Sequence, residues 1–97
     1  MLKKTIISLV TGLALSLAAP AHAACYADYK AKLSDPLRLH YGVVSLPDNA
    51  CSGARAKANV KKRLAANGWQ LLKVVSMFDE SGLASRRARA GAYYLKF

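Results

Sequence analysis

The sequence predicts a small α+β domain: a three-stranded sheet with one helix packed on one face, in the order β-α-β-β, and stapled by a disulfide. Three observations carry this. Apolar and polar residues alternate from Leu37 to about Leu46, the period of a half-buried strand, while Ala54 to Asn67 repeats its apolar positions every three to four residues, the period of a helix. Two cysteines, Cys25 and Cys51, remain once an N-terminal leader is set aside. The chain has 97 residues with 15 Lys and Arg against 5 Asp and Glu, a net charge of +10. That length allows one domain and excludes a two-domain enzyme, a dinucleotide-binding domain and a repeat array.

Residues 1–23 read as a secretory signal peptide. Met1-Leu2-Lys3-Lys4 is a cationic start, Ile6 to Ala19 is apolar and uncharged, and Pro20-Ala21-His22-Ala23 ends in the small-x-small pattern that a signal peptidase cleaves. A transmembrane helix is the competing reading, but it needs about 20 apolar residues and this run stops short before a proline. A lipoprotein is a second competitor because Cys25 follows closely, although a lipidation site calls for a Leu-like residue where His22 stands. Removing 23 of 97 residues leaves 74; Lys3 and Lys4 leave with the leader, so the net charge falls by two from +10 to +8. A domain that small is close to the limit at which a core suffices without a staple.

Export places the two cysteines in an oxidising compartment, where a Cys25–Cys51 disulfide is the expected pairing. It would close a loop of about 25 residues and stabilise the fold by roughly 3 kcal/mol in the chain-entropy model. The competing reading is a reactive or metal-binding pair. A zinc site wants four ligands, and His40 is the remaining candidate, so no metal is expected.

The elements follow in order. In the N-terminal segment 24–36, Tyr26, Tyr29 and Leu33 stand at helical spacing until Ser34-Asp35-Pro36 interrupts it, which predicts one or two helical turns. The β-α-β-β domain then occupies 37–97. Its first strand sets Leu37, Leu39, Tyr41 and Val43 on one side and Arg38, His40 and Gly42 on the other. Pro47-Asp48-Asn49 turns the chain into the Ala-rich helix, where Ala56, Val60 and Leu64 form the buried stripe and Arg55, Lys62 and Arg63 take the opposite side. Lys57 and Lys61 sit at its margin, where long stems cover apolar surface and still reach water. Asn67-Gly68 ends the helix, because glycine takes the left-handed conformation without steric cost.

Trp69 to Phe78 is the second strand and Asp79-Glu80-Ser81-Gly82 a turn. Leu83 to Ala90 is an Arg-rich loop or short helix, and Ala92 to Phe97 alternates again as the last strand. With Lys73 and Lys96 as markers of the solvent side, Leu72, Val74 and Phe78 lie under the helix, together with Tyr93, Leu95 and Phe97. The outward set is then Trp69, Leu71, Val75, Met77 and Tyr94, more apolar than soluble monomers normally expose. Either the Tyr26 to Leu33 segment or another molecule is expected to cover it.

Gly68-Trp69-Gln70-Leu71-Leu72-Lys73-Val74-Val75 followed by Ala92-Tyr93-Tyr94-Leu95-Lys96-Phe97 resembles a family of small bacterial domains of unknown function. Their core reads Gly-Trp-Glu-Leu-Val and then Tyr-Tyr-Phe-Lys. The resemblance covers Leu37 to Phe97 and implies a β-α-β-β domain with no assigned chemistry. Gln70 departs from the family's Glu, and the Arg-rich insertion is longer than the family's link. The leader and the cysteine pair look like those of an exported bacterial variant.

An enzyme needs convergent polar groups, and this inventory is thin. His40 stands on a strand, where a hydrogen-bonded structural histidine is the plainer reading; Asp79 and Glu80 are adjacent in a turn and explained by turn chemistry. No phosphate-binding glycine loop, nucleophile elbow or metal spacing occurs, so neither catalysis nor a cofactor is expected. The basic residues are the stronger signal: Arg55, Lys57, Lys61, Lys62 and Arg63 on the helix, and Arg86, Arg87 and Arg89 in the insertion. They are either a solvated face that keeps the protein soluble or an anion-binding surface.

Two functions follow for a periplasmic or secreted protein. One is a protein-interaction module whose apolar sheet face pairs with itself, as a homodimer, or with a partner. The other is a basic domain that binds anionic envelope components: lipid head groups, polysaccharide or an acidic protein. Export argues against nucleic acid, and no aromatic residue interleaves with the arginines.

Overall fold

The centre of the sheet is a strand where the sequence reading expects helical turns. The computed structural model describes residues 24–97, and the signal-peptide reading of 1–23 lies outside them. β1 (Cys25–Leu33) pairs antiparallel with β2 (Arg38–Leu46) on one side and with β3 (Gln70–Phe78) on the other, giving the order β2-β1-β3. Cys25, Ala27, Tyr29, Ala31 and Leu33 alternate with Tyr26, Asp28, Lys30 and Lys32 along β1. That is strand period, and pairing on both edges satisfies its backbone as two isolated helical turns could not. Ser34 to Leu37 makes the hairpin turn, with a cis peptide bond between Asp35 and Pro36.

α1 (Gly53–Ala66) buries Ala56, Val60 and Leu64, the stripe its periodicity predicts. It lies on the sheet face that presents Ala27, Tyr29, Ala31 and Val44, and these residues with Leu46 and Ala50 form the core. The alanines of β1 leave room for the helix to approach the sheet. α1 ends as expected: Gly68 has φ +83°, and the amides of Asn67, Gly68 and Trp69 bond the carbonyls of Leu64, Ala65 and Leu64 at 3.0, 3.1 and 2.9 Å.

The fold class is the expected one, an α+β domain with a three-stranded sheet and a Cys25–Cys51 disulfide whose Cα atoms are 5.9 Å apart. The element order differs, because two strands precede the helix and Ala92 to Phe97 is not a strand. Gly91–Tyr93 is a single 3-10 turn, and the tail touches the outer edge of β2 through one parallel bridge, Val43 to Tyr94, and the Leu95 N–H donating to the Val43 carbonyl at 2.8 Å. Positive φ at Gly91 and Leu95, +55° and +54°, breaks any extended run there. The β-α-β-β order implied by the resemblance is therefore not the order found.

The faces of β3 also differ from expectation. The β1–β3 register shifts twice, between Asp28 and Tyr29 and between Lys30 and Ala31, and each irregularity inserts a residue into β3. Leu71, Val74 and Met77 consequently share the α1 face and pack on the core, three apart rather than two. Phe78 turns to the opposite face and stacks on Tyr26 at 6.0 Å. That second face is covered in part by α2 (Ala84–Ala90), the short helix of the Arg-rich insertion. Among the described residues no helix is long and apolar enough to cross a membrane.

Candidate functional site

Two polar groups lie in the interior, one on each side of the sheet. Asp28 is buried on the second face, and every donor around it points at its carboxylate. Ser76 donates through its backbone N–H and hydroxyl to Oδ1 at 2.8 and 2.7 Å, Tyr41 Oη to Oδ2 at 2.7 Å, and Arg86 Nε to Oδ2 at 3.1 Å. Burial alone would raise the Asp28 pKa, but the hydrogen bonds from Ser76, Tyr41 and Arg86 outweigh it and hold the carboxyl below its ordinary value. Burial first and the Asp28 carboxylate second push the Tyr41 hydroxyl up. The Arg86 guanidinium also lies 3.9 Å from the Phe78 ring centre and bonds the Gly82 carbonyl at 2.8 Å. This is a clamp that holds α2 to the sheet, with each Asp28 carboxylate oxygen accepting two hydrogen bonds.

His40 is buried on the α1 face in an aromatic enclosure. Its ring stacks on Tyr93 at 3.7 Å and meets the Trp69 edge at 4.3 Å, and its Nε2 is 2.8 Å from the Tyr29 hydroxyl. The Nδ1 atom has no hydrogen-bond partner among the described residues. Burial, helped by the positive charge of Lys96, pushes the His40 pKa down to about 4, so the ring is neutral at physiological pH. Burial pushes the Tyr29 phenol well above its ordinary value. The Tyr29 ring lies across Gly42, its partner in β2, where any Cβ would overlap the hydroxyl and ring. His40 thus joins the C-terminal tail to the sheet through its ring contacts with Tyr93 and Phe97.

The apolar set expected to face outward is dispersed. Trp69, Leu71 and Met77 pack against the core under α1; Val75 is exposed beside a β3 irregularity, and Tyr94 is half-buried with the Arg87 guanidinium 5.6 Å from its ring. The eight basic residues likewise do not converge. Arg55, Lys57, Lys61 and Lys62 are exposed on α1, on one side of the sheet, whereas Arg87 and Arg89 are exposed on α2, on the other. Arg63 is occupied, since it donates to the Ser45 carbonyl at 2.6 Å and the Phe97 carbonyl at 3.5 Å, tying the tail to β2. Arg86 is the Asp28 clamp. Asp79 accepts from Ser81 within its turn, which holds its pKa down, as turn chemistry leads one to expect.

A surface the sequence reading did not single out remains. α2 reaches the second face over Asp28, Tyr41, Ser76 and Phe78, and leaves the hairpin end bare. There Leu37 and Leu39 are 68% and 67% exposed and Leu72 is 47% exposed. Lys30 lies between Tyr41 and Lys73 in the cross-strand row, and Lys32 sits opposite Leu39. Leu39, Leu72, Tyr41 and Lys30 border a shallow hollow of about 320 Å³. The alternation of Leu37 and Leu39 was legible; that no helix covers them was not, because it depends on α2 being only seven residues long. Among the described residues no three His, Cys, Asp or Glu side chains gather to hold a metal ion. No family model, curated protein or solved structure matches this chain.

Proposed function

We propose that the protein is an exported, non-enzymatic domain that attaches to anionic components of the bacterial envelope. The observation that carries this reading is the exposure of Lys30 and Lys73 beside bare leucines, on a sheet face where the Asp28 carboxylate is already neutralised by Arg86. A field of one sign at a surface attracts polyanions and anionic head groups. The non-enzymatic part is supported by the saturation of Asp28 and the enclosure of His40. Export is supported by the leader pattern of residues 1–23 and by a disulfide that suits an oxidising compartment.

Protein recovered from the exported fraction of cells should be retained on immobilised dextran sulfate at low salt. It should elute near about 0.5 M, where screening confines charge interactions to roughly 4 Å. Passage through the column at low salt would contradict the reading. A second reading, pairing with another copy or a partner strand, is favoured by one observation: among the described residues no strand lies beyond β3, which closes the sheet on one side. Retention unaffected by salt, with a molecular mass in solution of twice the chain, would favour that reading instead.

A further inference from the structure

We infer that the bare hairpin end of the second sheet face is a membrane-surface docking site, which rests on the anionic-envelope reading and names its ligand: the outer layer of a bilayer containing anionic phospholipid. Leu37, Leu39 and Leu72 enter the boundary between head groups and acyl chains, and Lys30, Lys32 and Lys73, on the same face by strand register, meet the phosphates. The leucines are the first argument. At 68% and 67% exposure, Leu37 and Leu39 project from the hairpin with neither α1 nor α2 over them, and the hollow beside them is lined by Leu72 and Tyr41.

Charge is the second argument. The cross-strand row Tyr41–Lys30–Lys73 and the pair Leu39–Lys32 alternate apolar and cationic side chains over the same half of the face, and no carboxylate interrupts them there. Asp35, in the hairpin turn, is the nearest acidic side chain in sequence to Leu37. Just beyond Tyr41, the Arg89 guanidinium lies 4.5 Å from its ring, which extends the positive edge toward α2. Lysines on flexible stems can lift their ammonium groups to the phosphate level while apolar neighbours sink a few ångströms deeper. A polysaccharide or an acidic protein would use the cations but give the leucines nothing to enter, and for this reason the lipid surface is the better fit. The basic row of α1, on the opposite side of the sheet, cannot touch the same flat surface at the same time.

The test uses exported protein with sucrose-loaded vesicles of mixed phosphatidylglycerol and phosphatidylcholine, and of phosphatidylcholine alone, in sedimentation. Wild type should pellet with the mixed vesicles and about tenfold less with the neutral ones. Leu37→Ser with Leu39→Ser should lower partition to the mixed vesicles by about tenfold while leaving retention on dextran sulfate and the thermal midpoint unchanged, because both side chains are solvent-exposed. Lys30→Gln with Lys73→Gln should lower both vesicle partition and polyanion retention. Unchanged vesicle partition in the leucine pair overturns the docking site, even where polyanion retention persists and the broader reading stands. Equal binding to neutral vesicles also overturns it. So does a dimer that the leucine pair converts to a monomer without loss of vesicle binding, since the face would then be occupied by a second copy.

Discussion

Arg86 decides whether α2 stays on the sheet. Its Nε is 3.1 Å from the Asp28 carboxylate and its guanidinium covers Phe78, so Arg86→Ser removes an ion partner from a buried acid and uncovers an aromatic ring. We expect a loss of about 2 to 3 kcal/mol in urea unfolding, less than for an unsupported buried pair because Ser76 and Tyr41 still donate to Asp28. Arg87→Ser, an exposed neighbour, should change stability by about 0.5 kcal/mol or less. Equal effects from the two variants would contradict the clamp.

His40 gives the molecule its response to acid. The unfolded imidazole titrates near 6.5 and the folded one near 4, so between those values the unfolded chain binds the proton that the folded ring refuses. Stability is fully present above pH 6.5 and falls as pH drops toward 4, by up to about 3 kcal/mol. Asp28 acts lower on the scale: its folded pKa lies below 3.8, so its contribution is present above that value and is lost as pH falls through the folded one. Urea midpoints measured across pH 4 to 7 should slope for wild type and flatten for His40→Phe. A wild-type midpoint that is level across that range would show the ring to be accessible to protons.

At the scale of elements, the helix and its ending are set by local chemistry. Gly68 must hold φ +83°, so Gly68→Val should cost about 1 to 2 kcal/mol, read as a lower thermal midpoint. Gly42→Ala should be comparably damaging for a different reason, since Tyr29 would have to leave its place beside His40. The stripe Ala56, Val60 and Leu64, the alternation of β2 and the cysteine pair could all be read from the chain, because each depends on a short-range period or on compartment alone. β1 was also legible in principle: Cys25, Ala27, Tyr29, Ala31 and Leu33 alternate cleanly, but the two tyrosines at a spacing of three imitate a helix. The β3 irregularities carry no local signature, and without them Leu71 and Met77 cannot be assigned to a face. The tail could not be read either, for its residues alternate as those of a strand do, while positive φ at Leu95 breaks the run and leaves one bridge to β2. The clamp of Asp28, Ser76 and Arg86 joins residues up to 58 positions apart, beyond any pattern along the chain.

For the whole molecule, the disulfide joins the first residue of β1 to the turn before α1, so it ties the central strand to the helix that covers it. Cys51→Ser should cost about 2 to 5 kcal/mol, seen as a lower urea midpoint under non-reducing conditions. With the core so closed, the two sides of the molecule differ in kind. The α1 side presents charge over a packed helix, and the hairpin side presents leucines among lysines. The proposed docking orients the protein at a bilayer with the hairpin inward and α1 outward. The most direct measurement is the fluorescence of Leu37→Trp, on a Trp69→Phe background, bound to phosphatidylglycerol vesicles whose acyl chains carry bromine near the head group. Emission shifted to shorter wavelength and quenched by the bromine is the predicted result, with a tryptophan placed at Ala58 on α1 remaining unquenched. Bound protein in which the tryptophan at 37 stays unquenched, or the one at 58 is quenched instead, would contradict it.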